Sequence, residues 1–180
     1  KGHEIDLYAR YADERLIDGL HHVKVPNRCA FSSAGNSLSF ARETARLLGG
    51  KQYDIVHSHE RGYRQDVLTV HTFSYKSGLR KYSLLRRMDM TFLSYRSWIY
   101  LWLEKRQMET LRLVAVSELI RKDIRQHFNR SEGVHVIPPG VDPDLFHPAW
   151  IAEHREPLRK ELGIGHDEMV VLFVHFRGDA

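Results

Sequence analysis

The sequence predicts an α/β fold in which a parallel β-sheet carries helices on both faces. Short apolar runs alternate with amphipathic helical stretches along the chain, and those runs are apolar nearly throughout, as in strands buried on both faces. Polar residues also come directly after several of the runs, where an open parallel sheet gathers its loops.

Taken in order, residues 5–9 and 22–25 read as short strands bounded by polar or turn residues. Leu38, Ala41, Ala45 and Leu48 recur at helical spacing, with Ser37 available as N-cap and Gly49 just past the end, which predicts a helix over 37–48. Strands are expected at 53–57 and 67–71. Basic, aromatic helical segments lie between 79 and 111, and a further strand at 112–116. Ser117 can cap the next helix, whose apolar face is Ile120, Ile124 and Phe128, and residues 134–137 close the series as a strand.

Pro138, Pro139 and Gly140 end that strand, and Pro143, Pro148 and Pro157 punctuate the chain beyond it. The expected organisation is one sheet layer over residues 1–147, then a linker and the opening of a second domain over 148–180. Within the latter, 155–162 reads as a short helix stopped by Gly163, and 169–176 as a first strand that does not join the first sheet. The chain begins at Lys1 without an initiator Met and stops just after an apolar run, so both ends read as cut.

The 180 residues, 42% hydrophobic and 28% charged, have the composition of a folded soluble protein and exclude a disordered tail. Cys29 is the single cysteine, which excludes an intramolecular disulfide and a thiolate zinc cluster and fits a reducing cytoplasm. The stretch 90–103 is interrupted by Ser94, Arg96 and Ser97, too polar for a spanning helix. Residues 79–112 carry eight basic side chains against Asp89, Glu104 and Glu109, a local excess that predicts an anionic partner or surface.

The informative positions lie just after the strands: His57, Ser58, His59, Glu60 and Arg61; then His71, Thr72, Ser74 and Lys76; then Ser117. His57 and His59 share one strand face, without a cysteine or an evident third ligand, so hydrogen bonding is expected there and no metal. His71 alone reads as readily as a core histidine; Thr72, Ser74 and Lys76 around it suit a sugar hydroxyl or phosphate. Glu60, Arg61, Arg64 and Asp66 taken alone would be a solvated charge cluster.

Four stretches, in order and spacing, resemble the N-terminal domain of family 4 glycosyltransferases: Tyr53-Asp54-Ile55-Val56-His57-Ser58-His59, Val70-His71-Thr72, Val114-Ala115-Val116-Ser117, and Val136-Ile137-Pro138-Pro139-Gly140-Val141-Asp142 running to Phe146-His147-Pro148. His59-Glu60-Arg61 and the basic helices are closer to the branch that acts on lipopolysaccharide cores. The resemblance implies a two-domain GT-B enzyme with a Rossmann-like acceptor domain, of which this chain holds the N-terminal part, truncated at both ends and by itself inactive. It implies sugar transfer from a nucleotide-sugar donor to a glycan or lipid-linked acceptor, with retention of configuration and no cofactor, the nucleotide sugar being a substrate.

On the matching positions, the resemblance implies that His71 is catalytic beside the donor sugar and that Gly140 lies where the chain passes between domains. His59, Glu60, Arg61, Asp66, Thr72, Lys76 and Ser117 are the remaining substrate-binding candidates. The expected first strand with its Gly-rich loop would lie upstream of Lys1. A cytoplasmic protein, peripheral on the inner face of a membrane, is the expected location, and nucleic acid is not an expected partner. Two other readings stand beside this one. The aromatic, basic stretch suits a non-catalytic membrane-binding module. A dinucleotide-binding Rossmann domain lacks its G-x-G-x-x-G after any strand present.

Overall fold

Strands form where the sequence concentrates aliphatic residues, and the helices before residue 130 begin where a serine can hold a free N–H group. The computed structural model describes residues 2–13, 15, 17–85 and 94–173. In chain order the elements are β1 (Asp6–Ala9), β2 (His21–Lys24), α1 (Ser33–Leu48), β3 (His57–Ser58), β4 (Val67–Val70), α2 (Tyr75–Leu79), α3 (Tyr95–Gln107), β5 (Arg112–Ala115), α4 (Glu118–Phe128), β6 (Val134–Val136) and α5 (Ala149–Glu161). The chain divides into two compact units, Lys1–Pro138 and Pro139–Ala180.

All strand pairs are parallel, and the main sheet runs β3-β4-β5-β6. His57 lies opposite Val67, Val67 opposite Arg112 and Leu113 opposite Val134, so the carboxyl ends of these strands share one rim. Leu68, Leu113 and Ala115 pack against Ile120 and Ile124 of α4, with Met108, Val134 and Val136 around them. The apolar stripe read from the sequence is therefore the side of α4 that meets the sheet. Burial of this cluster removes its apolar surface from water and is the main force holding the sheet to the helix.

Among the described residues the strands fall into two hydrogen-bonded sets where one continuous ladder was expected: β1 pairs with β2, and no ladder joins that pair to the four-stranded sheet. Residues 53–56 do not extend the strand anticipated there. The Val56 N–H donates to Asp66 Oδ2 at 2.8 Å, and its carbonyl accepts the Asp66 N–H at 2.8 Å, which closes a loop in place of a ladder. Side chains tie the β1–β2 pair to the loop between α1 and β3. Asp6 accepts hydrogen bonds from the Tyr53 hydroxyl, from Lys51 at 3.2 Å and from His21 at 2.9 Å, and the Tyr8 and Tyr53 hydroxyls lie 2.7 Å apart. A slot of about 380 Å³ remains between β1 and β3, lined by Ile5, Leu7, Phe40 and Ile55.

Helix α1 starts four residues earlier than the spacing predicts. Its cap is Ser32, whose Oγ accepts the Gly35 N–H at 3.0 Å, while Ser37 donates its hydroxyl to the Ser33 carbonyl. The early start depends on Gly35, where an added Cβ would run into Cys29 Sγ. At the other end Gly49 is extended and Gly50, at φ 96°, takes the left-handed position. Ser74 and Ser117 cap α2 and α4, accepting the N–H groups of Ser77 and Ile120.

In the second unit, α5 begins at Ala149, well before the expected 155, and runs through Pro157 to the predicted stop at Gly163 (φ 68°). Residues 169–173 form no ladder; a strand requires a neighbouring edge, and Met169, Val171 and Phe173 are exposed. The rest of that expected strand, 174–176, lies outside the described residues.

The bridge at Asp6 gives the fold an acid-sensitive link. Its hydrogen bonds, led by that from Tyr53 and then His21, lower the Asp6 pKa from 3.8 to about 2. A carboxylate depressed in this way contributes stability above its unfolded pKa, and that contribution is lost as pH falls through the folded value. The denaturation midpoint should accordingly drop between about pH 4 and pH 2 by more in the wild-type protein than in Asp6→Asn, read by urea melts across that range. Equal drops would show that Asp6 does not hold the β1–β2 pair to the loop before β3.

Candidate functional site

The parallel register sends the segments after β3 and β4 to the same rim, and the sequence makes both polar. His59, Glu60 and Arg61 come after β3, and His71 and Thr72 after β4; together they line a cavity of about 510 Å³. Its floor is apolar, from Leu68, Val70 and Ile124, and its far wall carries Glu104, Gln107 and Asp123 from α3 and α4. A cavity of this size with convergent polar groups suits a polyhydroxylated ligand.

Three imidazoles stack along the rim. His57 is hydrogen-bonded to Thr69 Oγ1 at 2.8 Å, its ring lies 4.6 Å from that of His59, and His59 Nδ1 meets His71 Nε2 at 2.8 Å. That last distance is a direct hydrogen bond, one ring donating and the other accepting, which leaves no room for an ion between the two nitrogens. Burial pushes the His59 pKa down, and the neighbouring His57 and His71 act in the same direction. His59 is therefore neutral at pH 7, able to hold His71 in one tautomer through their shared hydrogen bond. His71 itself is exposed, which removes the core-histidine reading.

The loop after His71 is held from behind. Asp123 Oδ2 accepts the Ser74 N–H at 2.9 Å, and Glu104 accepts the Tyr75 and Lys76 N–H groups at 2.6 and 3.2 Å. Both carboxylates are buried. Burial raises the Glu104 pKa, opposed by those two N–H groups and by the charge of Arg61. Asp123 also faces His127, buried on the same helix at 3.6 Å.

Not every sequence candidate reaches the cavity. Asp66 precedes β4, at the opposite end of the strand from His71, where it closes the loop to Val56. Lys76 turns away and donates to the His127 carbonyl at 2.7 Å, with its ammonium over the Phe128 ring. Ser117 is the α4 cap. Gly140 belongs to the second unit, and its backbone φ is not positive. Glu104 and Asp123 were missed as site residues. Their signal was present, because Asp123 falls on the Ile120–Ile124–His127 face and Glu104 beside Tyr100 and Leu103, acids on stripes that are otherwise buried.

The sequence profile described as Glycosyltransferase Family 4 matches residues 1–145. The chain belongs to glycosyltransferase family 4. Among solved structures, the crystal structure of WaaG, a glycosyltransferase involved in lipopolysaccharide biosynthesis, matches with a TM-score of 0.76 and 20% identity over 93% of this chain. The chain spans 45% of that structure's length, and the likeness at this identity is one of fold. No curated protein matches the chain. The parallel sheets flanked by helices in this family 4 chain are thus those of a GT-B glycosyltransferase. In the family 4 chain the three-histidine rim and its cavity occupy the carboxyl ends of the parallel strands, the expected ligand side of such a sheet.

Proposed function

We propose that the full-length protein is a retaining glycosyltransferase that moves a sugar from a nucleotide-sugar donor to a glycan or lipid-linked acceptor, and that this domain forms the acceptor side of its site. The observation that carries the reading is His71: exposed at the end of β4, held by His59, with Glu60, Arg61 and Thr72 around one cavity. In the reaction the acceptor oxygen bonds to the anomeric carbon as the bond to the nucleoside diphosphate breaks. The leaving phosphate takes the bonding electrons, and the hydroxyl proton passes to it. His71 orients the donor sugar by hydrogen bonding a hydroxyl, Thr72 and Glu60 contact sugar hydroxyls, and no cofactor or metal is required. Residues 148–180 then lead into the donor-binding domain, with Gly140 near the passage between domains, and 169–173 find their strand partners there. The apolar slot between β1 and β3 is where a first strand of the sheet would insert.

A second observation bears on the acceptor and on location. Tyr95, Trp98 and Trp102 are exposed along α3, with Arg96, Lys105 and Arg106 on the same helix. Some of the cations stack on rings, Arg96 on Tyr100 and Arg106 on Trp102. Residues 86–93 of the basic, aromatic stretch lie outside the described residues. Among the described residues no helix is long and apolar enough to cross a membrane. An aromatic, basic helix surface suits the headgroup region of an anionic membrane, which supports the reading of an enzyme on the cytoplasmic face acting on a lipid-linked acceptor, as in lipopolysaccharide assembly.

His71→Ala in the full-length enzyme should lower kcat on the order of 10²-fold with an unchanged denaturation midpoint, because a hydrogen bond to the reacting sugar is lost and no core contact is. Near-normal turnover with a lowered midpoint would sink the assignment. Sedimentation with vesicles should show binding to anionic and not to neutral lipid, reduced in the double variant Trp98→Ala, Trp102→Ala; equal behaviour towards both lipids would remove the membrane part.

A further inference from the structure

Beside the rim cavity, and sharing Glu60 and Arg61 with it, lies another of about 410 Å³ between the end of β1 and the first turns of α1. Arg10, the first residue after β1, and Arg61, the third after β3, both line it, with Asn36 and Phe40 of α1. Neither arginine forms an ion pair among the described residues. Each is instead held by an aromatic face: Arg10 lies 5.5 Å over the Phe40 ring and Arg61 4.9 Å over the Tyr100 ring. Arg10 donates to the Asn36 carbonyl at 2.8 Å, and Arg61 acts at a distance on Glu104, whose oxygens are already taken by backbone N–H groups.

Three residues lining this cavity each carry a side-chain atom with hydrogen-bonding capacity left over. Arg10 Nε, Arg61 Nε and Asn36 Oδ1 are all buried and without a partner. A guanidinium is always charged and presents a planar fork of donors that matches an oxyanion, so two of them in ion pairs with no carboxylate suit an anion from outside. Glu60, exposed at the same wall, adds acceptors and no donor, which suits sugar hydroxyls.

We propose that this cavity is an oxyanion subsite for the acceptor, holding a phosphate or carboxylate borne by a sugar between Arg10 and Arg61 while Glu60 accepts from that sugar's hydroxyls. The proposal rests on the acceptor-side reading above and sets the chemistry of the acceptor: an anionic sugar, engaged through Arg61 at the boundary with the cavity that contains His71. Lysine in place of either arginine would keep the charge and lose the fork, so charge and geometry can be separated.

Binding is tested on the full-length protein without donor, so that a failure of sugar transfer and a failure of anion binding are read separately. Calorimetric titrations with glucose 6-phosphate, glucuronate, inorganic phosphate and glucose should show an anionic sugar binding at least about tenfold more tightly than glucose or phosphate. Whichever of the two anionic sugars binds more tightly identifies the anion. Arg10→Gln and Arg61→Gln should each weaken it about tenfold or more with unchanged melting, and Arg10→Lys should recover part of the loss. Equal binding of glucose and the anionic sugars, or unchanged binding in the double Arg10→Gln, Arg61→Gln variant, would overturn the subsite.

Discussion

The site depends on two buried carboxylates. Glu104 of α3 and Asp123 of α4 reach the loop after β4 from two helices and take up the N–H groups of Ser74, Tyr75 and Lys76. These are the donors that the start of a helix leaves without partners, and burying them unpaired would cost about 1–3 kcal/mol each. Their satisfaction by side chains from outside fixes where α2 begins. That in turn fixes how far the chain travels between His71 and α2.

The consequence is a division of labour along a few residues. Ser74 is buried and bound on its N–H, whereas His71 and Thr72 just before it are exposed and open to the cavity. His71 has its Nε2 occupied by His59, so the ring is oriented before any ligand arrives. Preorganisation of this kind lowers the entropy lost when a reacting group is aligned. A rigid strand end, a neutral imidazole behind it and a tethered loop beyond it together make a defined rim from short, polar segments.

The sheet was legible in the sequence because its strands are apolar runs closed by polar residues, and β4, β5 and β6 fall within a residue of their expected bounds. The cluster of His59, Glu60, Arg61, His71 and Thr72 was legible too, since parallel register must gather the segments that leave adjacent strands. Less was visible where tertiary contacts decide. Residues 53–56 have strand-like composition, yet the Asp66 carboxylate takes the Val56 N–H and turns the segment into a loop. The start of α1 was hidden because Ser32 and Ser37 are equal caps by composition, and only the approach of Gly35 to Cys29 selects the former. Lys76 and Asp66 look like ligand groups in sequence but are committed to backbone partners in space. Glu104 and Asp123 show the reverse, since a charged residue on a helix is read as solvated until its burial is seen.

The most direct measurement is amide hydrogen exchange at Ser74, Tyr75 and Lys76 in the full-length protein, compared between wild type, Asp123→Ala and Glu104→Ala. The account predicts slow exchange at all three in the wild type, a selective rise at Ser74 in Asp123→Ala and at Tyr75 and Lys76 in Glu104→Ala, with the β4 and β5 amides unchanged. Fast exchange of these amides in the wild type, or protection that survives both substitutions, would contradict the claim that the two carboxylates hold the loop and with it the position of His71.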